Sequence, residues 1–310
     1  MRWLIVAVLV AALAWSVNWL LARRSLETRL TAWFAARQEA GWQAAHDGLS
    51  IRGFPNRLDA RLSEPRLAPP GGAWRWQAPW LGLSALVYRQ GRVIVTWPAR
   101  QSLEIAGREV AIGAGRLRAS ADLALADGGA LRRLVLVGSD ITGEVAAARI
   151  GAGTMRLALD RQAGDRPVYR VGLAVTEGEG PAMPARLEID AEATLAAPLR
   201  PGRPLPPVTR LRITAAEAAW PSGAGLSASG VLTPDTAGRA EGRLTLTVTE
   251  GGGLSAALAP LGLGERALSR LTAEAGGELV LRLAGGRVRL GPVPVAPAPR
   301  LAPADQGSNR

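Results

Sequence analysis

The sequence predicts a mainly β protein, an antiparallel curved sheet or sandwich, carried behind one N-terminal transmembrane helix. Three observations predict it. An uncharged apolar run opens the chain, apolar and polar residues alternate with a period of two through much of the rest, and Gly-rich dipeptides interrupt those runs at hairpin-like intervals. With 310 residues, 48% of them hydrophobic and 20% charged, the chain can bury a real core. That core is aliphatic, because the sequence has only two Phe and two Tyr.

The opening run, from Trp3 to Ala22, carries no charge and is interrupted only by Ser16 and Asn18. At ~1.5 Å per residue such a helix crosses a hydrocarbon layer of about 30 Å. Trp15 and Trp19 lie near its far end, where indole rings favour the interface, and Arg23-Arg24 stop the run. A cleaved signal peptide competes, since Ala12-Leu13-Ala14 offers a small-x-small cleavage site, but the apolar stretch is longer than such peptides need. Residues 1–24 are therefore read as a retained signal-anchor in an inner membrane. Arg23, Arg24 and Arg29 behind the helix argue for a cytoplasmic body, yet long domains cross membranes largely regardless of flanking charge. A periplasmic body is expected.

Residues 25–47 place Leu26, Leu30, Trp33 and Phe34 on one helical face, which predicts an amphipathic stalk helix packed on the body. A first β segment over 48–200 follows. Leu58, Ala60 and Leu62 alternate with Asp59, Arg61 and Ser63, and Leu117, Ala119, Ala121 and Leu123 with Arg118, Ser120 and Asp122. Pro201 to Pro207 is a Pro-rich connection. The second β segment, 208–295, repeats the alternation at Leu211 to Thr214 and Leu244 to Val248, with a short helix expected between Leu254 and Ala275. The Pro- and Ala-rich tail, 296–310, reads as disordered.

All of the positive charge is arginine, because the sequence has no lysine, and it outweighs the carboxylates to give +11. The arginines are scattered, with adjacent pairs only at Arg23-Arg24 and Arg132-Arg133. That dispersion argues against nucleic acid and for anionic membrane lipid. Without cysteine there is no thiolate nucleophile, cysteine-bound zinc or disulfide. The single histidine, His46, is expected in an exposed loop without the partners a catalytic site requires. Gly262 to Ala267 superficially matches a dinucleotide fingerprint but follows Pro260 and lacks a βαβ setting. The sequence thus predicts no enzyme, no metal and no cofactor.

Two groups remain as candidate ligand contacts. Trp74, Trp76, Trp80, Tyr88 and Trp97 form an aromatic cluster in sequence, suited to stacking on a sugar or headgroup, or to plugging the end of a sheet. In the hairpin from Leu279 to Leu290, Gly285-Gly286 fits a two-residue turn. Leu281 then pairs with Leu290, and Arg282 with Arg289 on the other face, where the two arginines invite an anion. The expected function is binding of lipid or other envelope components on a β-sheet surface, and the alternative is a scaffold that recruits an envelope protein.

Gly53-Phe54-Pro55-Asn56-Arg57 before a Leu-x-Ala-x-Leu strand, then Trp76-Gln77-Ala78-Pro79, Tyr88-Arg89 and Trp97-Pro98, resembles the bacterial family called domain of unknown function 2125. Gly286-Arg287-Val288 with Leu290-Gly291-Pro292-Val293-Pro294 is similar to that family's C-terminal signature. Relatives carry a Pro-Asn-His turn where this chain has Gln90-Gly91-Arg92. The resemblance implies an envelope location and one shared fold, without a reaction. The broad pattern is also similar to AsmA-like envelope proteins, which are associated with lipid handling.

Overall fold

A computed structural model describes residues 2–105, 107–145, 148–180, 183–250 and 278–302. The apolar run and the residues behind it form one helix, α1 (Arg2–Glu39), so anchor and stalk are continuous. No helix breaker lies between them: Leu20 to Glu27 is mostly strong helix formers. The helix ends earlier than the predicted stalk boundary at 47, because Gly41 takes a left-handed φ of 79° and Gln43 already begins a strand. Its first turns leave Trp3, Leu9 and Leu13 exposed. Beyond them, the predicted stripe meets the body. Leu26 and Leu30 pack with Trp19 on Ile51, Leu58, Ala60 and Val87, while Phe34 packs on Ala44 and Leu62.

Strands make up 58% of the described residues, and every pairing among them is antiparallel. In chain order they begin with β1 (Gln43–Ala45), β2 (Gly48–Arg52), β3 (Arg57–Ser63), β4 (Arg66–Ala68) and β5 (Trp74–Gln77). Next come β6 (Trp80–Leu86), β7 (Arg89–Thr96), β8 (Arg100–Ile105), β9 (Arg108–Gly113) and β10 (Arg116–Ala124). The longest strand among the described residues is β11 (Ala130–Val145), followed by β12 (Ala148–Arg161), β13 (Val168–Thr176), β14 (Arg186–Leu195) and β15 (Val208–Ala219). The series closes with β16 (Gly225–Pro234), β17 (Ala240–Glu250), β18 (Glu278–Ala284), β19 (Arg287–Leu290) and β20 (Val293–Pro297).

Pairing divides the sheet at β11. One branch runs β2, β3, β6, β7, β10 and joins the first half of β11; the other runs β1, β4, β5, β8, β9 and joins its end. From β11 onward the sheet is a single meander in which each strand pairs with the next, through to β20. The sheet does not close. The predicted alternation is plain in β3, where Leu58, Ala60 and Leu62 are all buried and Arg57, Arg61 and Ser63 exposed.

The Pro-rich connection at 201–207 joins β14 to β15, which are partners in the sheet, so the two β segments are halves of one sheet. Arg37 at the end of α1 donates to the Gly202 carbonyl there. The short helix expected over 254–275 lies outside the described residues. The tail corrects the expectation of disorder as far as residue 302. Ala298 N–H donates to Gly286 (2.9 Å), Pro299 accepts from Ala240 (2.7 Å), and Leu301 bonds both Gly238 (2.9 Å) and Val208 (3.0 Å). Those bonds strap the chain across the strand ends because the hairpin turns leave backbone groups unpaired there.

Candidate functional site

Because side chains alternate across a strand, fixed register lines residues up in rows. One row is entirely apolar. It starts at Ile51, under α1, and passes through Ala60, Leu83, Val95, Ala119 and Leu136. It continues through Leu157, Leu173, Ile189, Ala216 and Ala228 to Leu246 and Leu279. The ends of the row are buried. Its middle, from Leu136 to Ala228, is only half-buried. Leu157, Leu173 and Ile189 belong to none of the packed clusters, which gather at the helix, around Tyr169, and around Leu246 and Leu283. Through this stretch each of β12 to β17 pairs with its ladder neighbours.

The opposite face carries a row of charge. Arg92, Asp122, Arg133, Asp160, Arg170, Glu192 and Arg212 face one another in strict alternation across β7 and β10 to β15. Arg133 meets Asp160 at 3.2 Å and Arg92 meets Asp122 at 3.8 Å. Arg170 turns to Asp190 with two bonds of 3.2 and 2.6 Å, which holds that carboxyl below the usual range and raises the guanidinium's pKa. The pair sits in a shallow depression that Arg156, Glu188 and Glu217 also line. Asp127, in the turn after β10, is held low chiefly by Arg161 (2.7 Å), with Arg200 (3.1 Å) assisting.

After Arg212 and Val231 the alternation fails, and Arg243, Arg282 and Arg289 stand side by side on β17, β18 and β19. The predicted register of the last hairpin is observed: Leu281 opposite Leu290, Arg282 opposite Arg289 and Leu283 opposite Val288, closed by Gly285 and Gly286 at φ 57° and 73°. Sequence reasoning missed Arg243, whose place depends on pairing across a long connection. All three arginines are exposed and make no ion pair among the described residues; Glu241 is the nearest carboxylate along β17. Such a row suits an anion, but Leu281 faces the other way. A lipid whose chains lay on Leu281 would not place its headgroup on these arginines.

The aromatic cluster is dispersed. Trp74 stacks edge-on against Trp42 at 5.8 Å, and Trp76 donates from Nε1 to Gln101 Oε1 at 2.8 Å. Trp80 lies under the Arg61 guanidinium at 4.4 Å, Trp97 is half-buried after β7, and Tyr88 is exposed at the β6–β7 turn. No two of the five share a ring contact, so they form no common stacking platform. His46 is not the exposed loop residue expected from sequence: its ring packs on Phe34 at 4.7 Å, and its Nδ1 is buried without a partner. Among the described residues, no group of three or more His, Asp and Glu side chains is placed to hold a metal ion.

An apolar N-terminal helix long enough to span a membrane, joined to an open antiparallel sheet with one apolar and one charged face, defines the class of this protein. No curated protein and no solved structure matches the chain. The sequence profile of DUF2125, described as an uncharacterized protein conserved in bacteria, matches residues 19–299, and the chain belongs to that family.

Proposed function

We propose that this protein is a membrane-anchored envelope protein that binds lipid acyl chains on the apolar face of its sheet. The observation that carries this reading is the unbroken apolar row. It begins under α1 at Ile51 and crosses the sheet to Leu279, only half-buried through its middle from Leu136 to Ala228. An aliphatic surface in water gains about 25 cal/mol for each Å² that is covered, and α1 keeps the body next to a reservoir of aliphatic chains. The body lies on the periplasmic side of an inner membrane in this reading, and its role is binding, without catalysis.

Native mass spectrometry of the full chain, extracted from membranes in mild detergent, tests the reading. The wild-type protein should carry lipid adducts. Leu173→Asp should lose them while circular dichroism stays unchanged, because Leu173 lies outside the packed clusters; Ile189→Asn is the second variant should the first unfold. A chain that carries no lipid but crosslinks to a stoichiometric protein partner would replace this reading with the scaffold.

A further inference from the structure

The apolar run of α1 is long enough to cross a membrane only if it is used to its full length, and the body interferes with that. Trp15 donates from Nε1 to the Pro55 carbonyl (2.9 Å), and Trp19 from Nε1 to the Arg57 carbonyl (2.8 Å). Helix free of the body therefore runs only from Trp3 to Ala14, which at ~1.5 Å per residue is about 18 Å against a hydrocarbon core of about 30 Å. Tilting the helix enlarges the shortfall. Arg2, charged, bounds the run on one side and Arg23-Arg24 on the other. Spanning the layer takes the helix as far as Ala22, which puts Pro55, level with Trp15, about 10 Å inside the hydrocarbon boundary.

The residues drawn to that depth are fitted for it. The loop between β2 and β3 and the β6–β7 turn lie together, since Val87 N–H donates to the Asn56 carbonyl (3.0 Å). Each carries an exposed aromatic ring: Phe54 is 58% exposed while meeting Trp19 edge-on at 5.5 Å, and Tyr88 is 66% exposed. Backbone in lipid must satisfy its own polar groups, and four carbonyls of the loop are bonded: Gly53 accepts from Arg57 N–H (2.8 Å), Asn56 from Val87, and Pro55 and Arg57 from the two indoles. Pro55 has no N–H to satisfy. Arg57 pairs with Asp59 (3.0 Å), while exposed Arg89 beside Tyr88, with Arg23 and Arg24 on the helix, is long enough to reach back to phosphate.

We propose that this tip, Gly53 to Arg57 with Tyr88, is a lipid-docking surface sunk into the leaflet from which α1 emerges. It rests on the reading of α1 as a membrane span. The body then stands directly on the bilayer, with its apolar row starting at the lipid surface.

The chain has no native cysteine, so single cysteines carry an environment-sensitive fluorophore at one site each. Tyr88→Cys and Phe54→Cys report on the tip. Leu9→Cys, exposed in mid-run, reports on the span, and Leu205→Cys, 83% exposed on the connection that touches Arg37, reports on water. The labelled full-length proteins are placed in phosphatidylcholine vesicles containing phosphatidylglycerol and spin-labelled lipid. The tip labels should emit to the blue of the Leu205 label and be quenched most by shallow spin labels, and the Leu9 label most by deep ones. Tip labels that behave like Leu205 while Leu9 is quenched deeply overturn the docking surface alone. A Leu9 label that is not quenched overturns the span as well.

Discussion

Removing one oxygen from Tyr169 should unfasten the connection between β14 and β15. Its ring is 1% exposed, between Leu131 and Leu195. Its hydroxyl donates to the Leu131 carbonyl (3.0 Å) and accepts from Leu199 N–H (3.0 Å). Leu131 N–H also donates to the Leu199 carbonyl (2.7 Å), so this single hydroxyl completes a small closed network. Tyr169→Phe keeps the ring and its packing and takes this partner from two backbone groups. Each such group costs roughly 1–3 kcal/mol to leave unpaired, so a loss of about 2–6 kcal/mol is expected, a large part of the 5–15 kcal/mol typical of a folded protein. Urea unfolding of both proteins in the same detergent measures it, and hydrogen exchange across 196–200 should accelerate in the variant. A loss below about 0.5 kcal/mol with unchanged exchange would refute the reasoning and mean that the hydroxyl only fills space.

Two further outcomes follow from the charged face and from the anchor. Replacing Arg282 and Arg289 together with Gln removes two adjacent guanidiniums and should reduce binding to vesicles containing phosphatidylglycerol while leaving purely phosphatidylcholine vesicles unaffected; equal loss on both would show that the row has no part in anion attraction. A reporter active only in the cytoplasm, fused after Arg310, should be silent in cells, and strong activity would place the body on the cytoplasmic side.

Period and turn chemistry made much of the fold legible in the sequence. Leu58, Ala60 and Leu62 announce β3, and the last hairpin could be paired residue by residue because two adjacent glycines fix both turn length and register. Pairing between distant segments was not legible. Nothing in the alternation of β11 says that one half will pair with β10 and the other with β9, since period two is the same for any partner. The aromatic candidates show the same limit. Trp76 and Trp80 are four residues apart, yet β5 pairs with β8 while β6 pairs with β3, so the two rings go to different branches. His46 looked isolated because its neighbour Phe34 comes from the helix, across a turn and a strand.

The alternating row from Arg92 to Arg212 bears on how so long a meander assembles. Slipping one strand by a single residue would turn its apolar side chains to the wrong face, an error that burial already forbids. A slip of two residues keeps every face correct, and a purely apolar code would not detect it. It would, however, carry Asp160 away from Arg133 and Arg170, and Glu192 away from Arg170 and Arg212. At about 0.2–1 kcal/mol for each cross-strand pair, the charges act as a parity check on strand alignment. β18 and β19 lie beyond the reach of that check, and there the glycine turn counts the residues instead.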